Sequence, residues 1–277
     1  MKQLPNSPLR LPNGKRRYAK DIVDLFPRDI KEIRDVMCGS GNISFEARRQ
    51  FPEARIWMND INSDLVNFFK HSSYSNEWMI NTIKSWHSLY EEKELFDYCK
   101  SVIKEEKAKP YDNNYKKMAV AFYIINRLAF SGTLDGGFTQ YNYRYRLTNS
   151  NLKRLKTLDG FLAPNTLLTS VTYDNVAQAP SRKQDDEVLL FFNPPYYNDA
   201  MQMYRKSKSN GNLFDYEELS VVASQTPYKF LIAIDDSWYI RDLFGFANIV
   251  SHSTLKGKND EKNNVVVPKD ILFITNY

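Results

Sequence analysis

Glu32-Ile-Arg-Asp-Val-Met-Cys-Gly-Ser-Gly-Asn-Ile-Ser-Phe-Glu-Ala-Arg-Arg49, followed by Ala54-Arg-Ile-Trp-Met-Asn-Asp60, is the stretch that decides the fold. Glu32 to Cys38 reads as a short strand that runs into the turn Gly39-Ser-Gly41. Asn42 to Arg49 has helical spacing, with Asn42 placed to start the helix. Ala54 to Asn59 is a second strand, and it delivers Asp60 at its end. Strand, glycine turn, helix, strand, acid is the order of the first half of a doubly wound nucleotide-binding sheet. Glycines after the first strand let the chain turn sharply and let a ligand approach the backbone. A packing turn would use the same pair, so its weight comes from Asp60, 19 residues past Gly41, a spacing that suits ribose hydroxyls. Phe45 and Glu46 stand where the third glycine of a dinucleotide fingerprint would fall. A ribose ligand without a phosphate chain therefore fits better than a dinucleotide.

Working outward, Tyr18–Phe26 has helical spacing and stops at Pro27. Strand rhythm returns late in the chain: Leu167–Tyr173 ends at Asp174, and Val188–Phe192 runs straight into Asn193-Pro-Pro-Tyr196. Phe230–Ile234 is another buried strand before Asp235-Asp236, and Ile271–Tyr277 is predicted to close the chain as an edge strand. Continuous apolar strands alternating with helices mean a sheet covered on both faces, hence α/β. The middle differs. It holds a charged helical stretch (Tyr90–Lys109), the apolar segment Met118–Ile125, a Gly-rich aromatic tract (Ser131–Arg146) and a basic helix (Ser150–Lys156). The expected organisation is a core of residues 1–75 and 160–277 carrying a mostly helical insertion, residues 76–159.

Asn193-Pro-Pro-Tyr196 is the sharpest chemical signal, because ligands of open α/β sheets sit at the carboxyl ends of the strands. Two consecutive prolines stiffen the loop and supply no N–H, which leaves carbonyls free to accept hydrogen bonds. The Asn193 side-chain oxygen and the Pro194 carbonyl would make two acceptors for one –NH2 group, and Tyr196 offers a face for a planar ring. That set suits alkylation of an exocyclic amine, whose lone pair is tied up in ring conjugation. Pro-Pro also ends strands for mechanical reasons alone.

Composition narrows the classes. The chain has 277 residues, 42% hydrophobic and 26% charged, which excludes a disordered or collagen-like protein. No apolar run approaches the roughly 20 residues of a membrane helix, and the N-terminal basic residues have no apolar run behind them, so neither membrane nor signal peptide is expected. Two cysteines, Cys38 and Cys99, make no disulfide framework and point to a reducing cytoplasm. His71, His87 and His252 show no metal-ligand spacing with either cysteine, so no metal is expected. Lys plus Arg (38) against Asp plus Glu (33) leaves +5, which permits a polyanionic partner without requiring one. The 18 Tyr and 17 Phe often lie beside basic residues, as in Tyr141–Arg146, a mixture that suits stacking on bases and holding phosphates. An aromatic core with a solvated rim has the same composition.

In order, nearly the whole chain resembles the Dam-type (alpha-group) adenine-N6 DNA methyltransferases, whose recognition domain is inserted between cofactor half and catalytic half. Pro8–Lys15 resembles the family's opening segment, Asp35–Gly41 its Gly loop, and Asn59–Leu65 its ribose-binding segment. Asn126–Gly132 resembles the start of its DNA-reading loop, Asn193–Tyr196 its catalytic loop, and Ile274–Tyr277 its ending. The resemblance implies a Rossmann-like S-adenosylmethionine-dependent methyltransferase sheet with an inserted, mostly helical DNA-recognition subdomain. It implies that Lys15 and Asp60 hold the carboxylate and ribose of S-adenosylmethionine. Leu11, Met37, Gly39, Gly41 and Ile61 would line that ligand, and Asp174 and Asn193 would approach it from the other half. Asn193, Pro194, Pro195 and Tyr196 would be catalytic.

Double-stranded DNA is the implied partner, with Arg127, Tyr141, Arg144, Arg146, Lys153, Arg154 and Arg205 as candidate contacts. The target adenine would leave the duplex, at a cost of a few kcal/mol. No residue speaks to a partner restriction nuclease or to the DNA site.

Three departures stand out. The family's catalytic loop usually begins with Asp, and Asn193 keeps the acceptor oxygen but not the charge. Leu11 and Met37 replace aromatics usual in the opening segment and the Gly loop. The Asn form also occurs in enzymes that methylate guanine in RNA or glutamine in proteins. Those lack a long insertion, whereas more than 100 residues separate Asp60 from Asn193 here, which favours DNA. A catalytically silent nucleic-acid-binding protein on the same scaffold is the other alternative; loss of the cofactor half would mark it, yet Gly39, Gly41 and Asp60 are present.

Overall fold

The structure, a computed structural model, describes residues 7–11, 15–132, 136–140, 145–156, 158, 165–197, 214–254, 259–260, 265–266 and 269–277. The strands are β1 (Glu32–Asp35), β2 (Arg55–Asn59), β3 (Thr166–Thr169), β4 (Val188–Phe192), β5 (Lys229–Asp235), β6 (Asn248–Thr254), β7 (Asn259–Asp260), β8 (Val265–Val266) and β9 (Lys269–Thr275). The helices are α1 (Ala19–Asp24), α2 (Asn42–Gln50), α3 (Ser63–Tyr74), α4 (Asn76–Leu89), α5 (Glu92–Ala108), α6 (Tyr115–Leu128), α7 (Asn149–Lys156), α8 (Tyr173–Gln178), α9 (Tyr216–Gln225) and α10 (Trp238–Leu243). The chain divides into two compact units: Met1–Leu25 with Cys38–Val171, and Phe26–Met37 with Thr172–Tyr277. Residues 76–159 fall inside the first of these, in one body with the glycine turn.

In the second unit β1 runs parallel to β4 and β4 parallel to β5, while β9 lies antiparallel between β5 and β6. All five residues of β4 are buried, as are Phe230–Asp235 of β5 and Ile271–Ile274 of β9. Runs this apolar have no polar face to offer water, so both sides of the sheet are covered. The closing strand is not an edge: Asn248–Thr254, too polar to read as a strand from sequence, pairs along its outer side. A buried ion pair anchors β1. Arg34 Nε donates to Glu32 Oε1 at 2.7 Å, and Arg34 Nη1 donates to the carbonyls of Val176 and Ala179, each at 2.7 Å.

In the first unit β2 runs parallel to β3 with Ile56 opposite Thr166. Helix α6 is buried on every face from Met118 to Leu128; the apolar run Met118–Ile125 requires this, and Asn126 and Arg127 extend it as buried, hydrogen-bonded polar residues. It packs against α3, α4 and α5, and Phe68 of α3 stacks on Phe122 and Tyr123 with ring centroids 5.7 Å apart in both pairs. Asn62 caps α3 by accepting the N–H groups of Asp64 (3.0 Å) and Leu65 (3.2 Å).

Two strands are shorter than expected. β1 stops at Asp35, and Val36–Cys38 already belongs to the turn. β3 stops at Thr169 because Asn59 draws the chain off the ladder: its Oδ1 accepts the Val171 N–H (3.1 Å) and its Nδ2 donates to the Val171 carbonyl (2.9 Å). Asp174 therefore sits in the first turn of α8, not at a strand end.

Candidate functional site

The glycine turn is built from the end of β2. The Cys38 N–H donates to the Asn59 carbonyl at 2.7 Å and the Gly41 N–H donates to the Cys38 carbonyl at 2.7 Å, which closes the turn. Gly39 (φ +47°) and Gly41 (φ +74°) both take left-handed backbone, a region that penalises a Cβ. Their surroundings differ. A Cβ on Gly41 would lie 2.9 Å from Met58 Cε and 3.1 Å from the rings of Phe45 and Phe69, so that glycine serves packing. A Cβ on Gly39 would meet nothing nearer than Leu11 Cδ1 at 3.6 Å. At Gly39 the left-handed backbone, not crowding, is what favours glycine.

Asp60 follows β2 and closes over the same turn. Its Oδ2 accepts the Gly39 N–H at 2.9 Å and its Oδ1 accepts the Asn62 N–H at 2.9 Å. Burial pushes its carboxyl above the ordinary carboxylate value, against the pull of those two N–H bonds. Each oxygen keeps a further acceptor site, which is what a pair of ribose hydroxyls requires. Ile61 beside it is 72% exposed. Lys15 is not a solvated cation: it is 3% exposed. Leu11 and Met37 are half-buried.

At the end of β4, Asn193 is half-buried, Pro194 buried and Pro195 exposed. Tyr196 is 6% exposed, so its ring is covered by the chain. Among the described residues neither the Asn193 side-chain amide nor the Pro194 carbonyl has a hydrogen-bond partner. Two other polar groups of the segment are taken: Tyr216 Oη donates to the Pro195 carbonyl (2.9 Å), and the Tyr197 N–H donates to Asp235 Oδ1 (2.7 Å). Sequence reasoning missed both partners. Asp235 had a usable signal, an acid closing a buried strand as Asp60 does; Tyr216 had none. Asp174 is half-buried.

The candidate DNA contacts are placed unevenly. Arg127 is 6% exposed and its Nε donates to the Arg146 carbonyl at 3.1 Å. Arg146 Nη1 answers by donating to the Arg127 carbonyl at 3.2 Å. Lys153 is exposed on α7 and Arg154 half-buried. Tyr141, Arg144 and Arg205 lie outside the described residues. Asn126, fully buried, fastens the opening segment to the start of the loop: its Oδ1 accepts the Arg10 N–H (3.0 Å), and its Nδ2 donates to the carbonyls of Arg10 (2.6 Å) and Gly132 (2.7 Å). Among the described residues no group of three or more His, Cys, Asp or Glu is arranged to hold a metal ion, and no helix is long and apolar enough to cross a membrane.

A covered α/β sheet, a glycine turn closed by an acid, and a proline-stiffened loop with open acceptors define a Rossmann-like protein of the methyltransferase type. The family model of D12 class N6 adenine-specific DNA methyltransferases matches residues 14–257, and the chain belongs to that family. No curated protein matches it.

Proposed function

We propose that the chain transfers a methyl group from S-adenosylmethionine to the N6 amine of an adenine flipped out of double-stranded DNA at a specific site. The observation that carries the proposal is the pair of acceptors, Asn193 Oδ1 and the Pro194 carbonyl, that no hydrogen bond engages among the described residues, beside a proline that cannot donate. Two acceptors on one –NH2 pull the nitrogen toward tetrahedral geometry and partly release its lone pair from the ring. Asn in place of Asp at position 193 serves this role, because acceptance, not charge, does the work.

The open flank of Gly39 and the spare acceptor sites of Asp60 fit the ribose part of the methyl donor, with Ile61 beside its base and Lys15 at its carboxylate. Bound there, S-adenosylmethionine supplies a methyl group on a sulfonium, a leaving group already activated. No metal and no general base of unusual pKa is then needed, and the amine proton can leave to water afterwards. We assign target recognition to residues 76–159, and phosphate contacts to Lys153 and Arg154 of α7, to Arg144 and Arg205, and to Arg127 and Arg146, whose mutual bonds would also hold the reading loop. Tyr141 is assigned to base stacking, and Tyr196 to stacking on the flipped adenine, which requires its ring to be uncovered when DNA binds.

Asn193→Ala tests the proposal. Turnover is expected to vanish while S-adenosylmethionine binding, measured by calorimetry, survives. An Asn193→Ala protein of full activity would remove the mechanism. Absence of S-adenosylmethionine binding by the unaltered chain would leave a DNA-binding protein without catalysis.

A further inference from the structure

We propose that Tyr216 and Asp235 are positioning residues that lock the Asn193–Tyr197 loop in its amine-accepting geometry; this rests on the catalytic role proposed above for that loop. The loop has few ways to hold itself. Pro194 and Pro195 donate no hydrogen bond, so its shape must come from groups that reach in from outside. Two do. From the first turn of α9, the phenol of Tyr216 donates to the Pro195 carbonyl at 2.9 Å. From the end of β5, the carboxylate of Asp235 accepts the Tyr197 N–H at 2.7 Å. Both side chains are buried, at 7% and 1% exposure, and both sit on regular secondary structure, so the bracing points are rigid.

The division of labour along the segment is sharp. The Pro195 carbonyl and the Tyr197 N–H are consumed by the scaffold, and the Asn193 amide and Pro194 carbonyl are left for a ligand. The Pro195 ring fixes its φ, so pinning the next carbonyl and the following N–H fixes the peptide planes on which the Pro194 carbonyl depends. Aromatic packing reinforces the brace. Tyr197 stacks on Tyr239 at 5.0 Å and meets Tyr216 edge-on at 5.5 Å, and Phe214 meets Tyr216 at 5.0 Å. Without the two bonds the acceptors would still be present but would sample several orientations. A misplacement of about 1 Å at the reacting centre is enough to cost roughly a hundredfold in rate.

The test uses the full-length protein in four forms: unaltered, Tyr216→Phe, Asp235→Ala and Asp235→Asn. Tyr216→Phe removes one hydroxyl and keeps the ring. Asp235→Asn keeps an acceptor for the Tyr197 N–H, and Asp235→Ala removes it. Single-turnover methylation is expected to fall about tenfold or more in Tyr216→Phe and Asp235→Ala, with DNA KM and S-adenosylmethionine Kd within about twofold of the unaltered protein. Asp235→Asn is expected to restore the rate to within about threefold. Hydrogen exchange at the Tyr197 amide gives a readout that needs no catalysis: protection is expected to drop about tenfold in Asp235→Ala and to persist in Asp235→Asn. If both bond-deleting variants keep their rate, the brace is not a positioning device, although methylation stands. If the unaltered protein transfers no methyl group, the parent proposal fails, and unchanged Tyr197 exchange in Asp235→Ala would overturn the brace by itself.

Discussion

Gly39→Ala and Gly41→Ala should separate a glycine kept for a ligand from a glycine kept for packing. Both positions have left-handed backbone, which costs an alanine about 1–2 kcal/mol. Stiffening of the unfolded chain returns about 0.4–1 kcal/mol at each. Gly39→Ala adds no steric conflict, since its Cβ would find only Leu11 Cδ1 at 3.6 Å, so the net loss is about 1 kcal/mol. Gly41→Ala drives a methyl to 2.9 Å from Met58 Cε and 3.1 Å from Phe45 and Phe69, all buried. Overpacking of that kind costs about 1–3 kcal/mol more, for a total of about 2–4 kcal/mol. Urea unfolding followed by far-ultraviolet circular dichroism gives the stabilities, and calorimetry gives S-adenosylmethionine affinity. The expected pattern is a Gly39→Ala protein that is nearly as stable as the parent yet binds the donor at least tenfold more weakly. Undiminished affinity in Gly39→Ala would show that no ligand passes that glycine, and equal stability losses in the two variants would refute the packing argument.

Glu32→Ala leaves the Arg34 guanidinium buried without its carboxylate, and unfolding should become easier by about 3–5 kcal/mol in a denaturant titration. Asn126→Ala breaks three hydrogen bonds to Arg10 and Gly132 at once, one of them fully buried; a loss of about 2–4 kcal/mol and faster proteolysis near those residues are expected, and an unchanged urea midpoint would contradict it. Because burial raises the Asp60 pKa, the acid limb of S-adenosylmethionine affinity should lie above the ordinary carboxylate value of about 4, and Asp60→Asn should flatten it in calorimetry across pH. The sign for folding is the reverse: Asp60 contributes fully below the unfolded value, and that contribution is lost as pH rises through the folded one.

How far the sequence was legible depended on whether a feature is local. β4 and α2 could be read to within a residue, because five consecutive apolar residues and a helical period declare themselves. The turn of Gly39 and Gly41 and the acid after β2 were equally local. Long-range pairings were not. β9 read as an edge because its partner on the outer side, β6, holds only two apolar residues, Ile249 and Val250, ahead of four polar ones and carries no strong strand signal. The strand expected through Tyr173 failed because a side chain far away in sequence, Asn59, binds the backbone at Val171. At the end of β4, the proline-stiffened segment Asn193–Tyr196 was visible in four letters, whereas its brace Tyr216, about twenty residues on, could be recognised only once the chain had folded. Arg127 was legible only as a cation; that it is also a buried fastener for Arg146 depends on residues 19 positions apart meeting in the fold.

The most direct test is to incubate the protein with radiolabelled S-adenosylmethionine and unmethylated double-stranded DNA, digest the DNA to nucleosides and identify the labelled product. Label in N6-methyldeoxyadenosine, confined to one short sequence, is the expected result. Label in another nucleoside, or none in DNA while the donor binds, would contradict it.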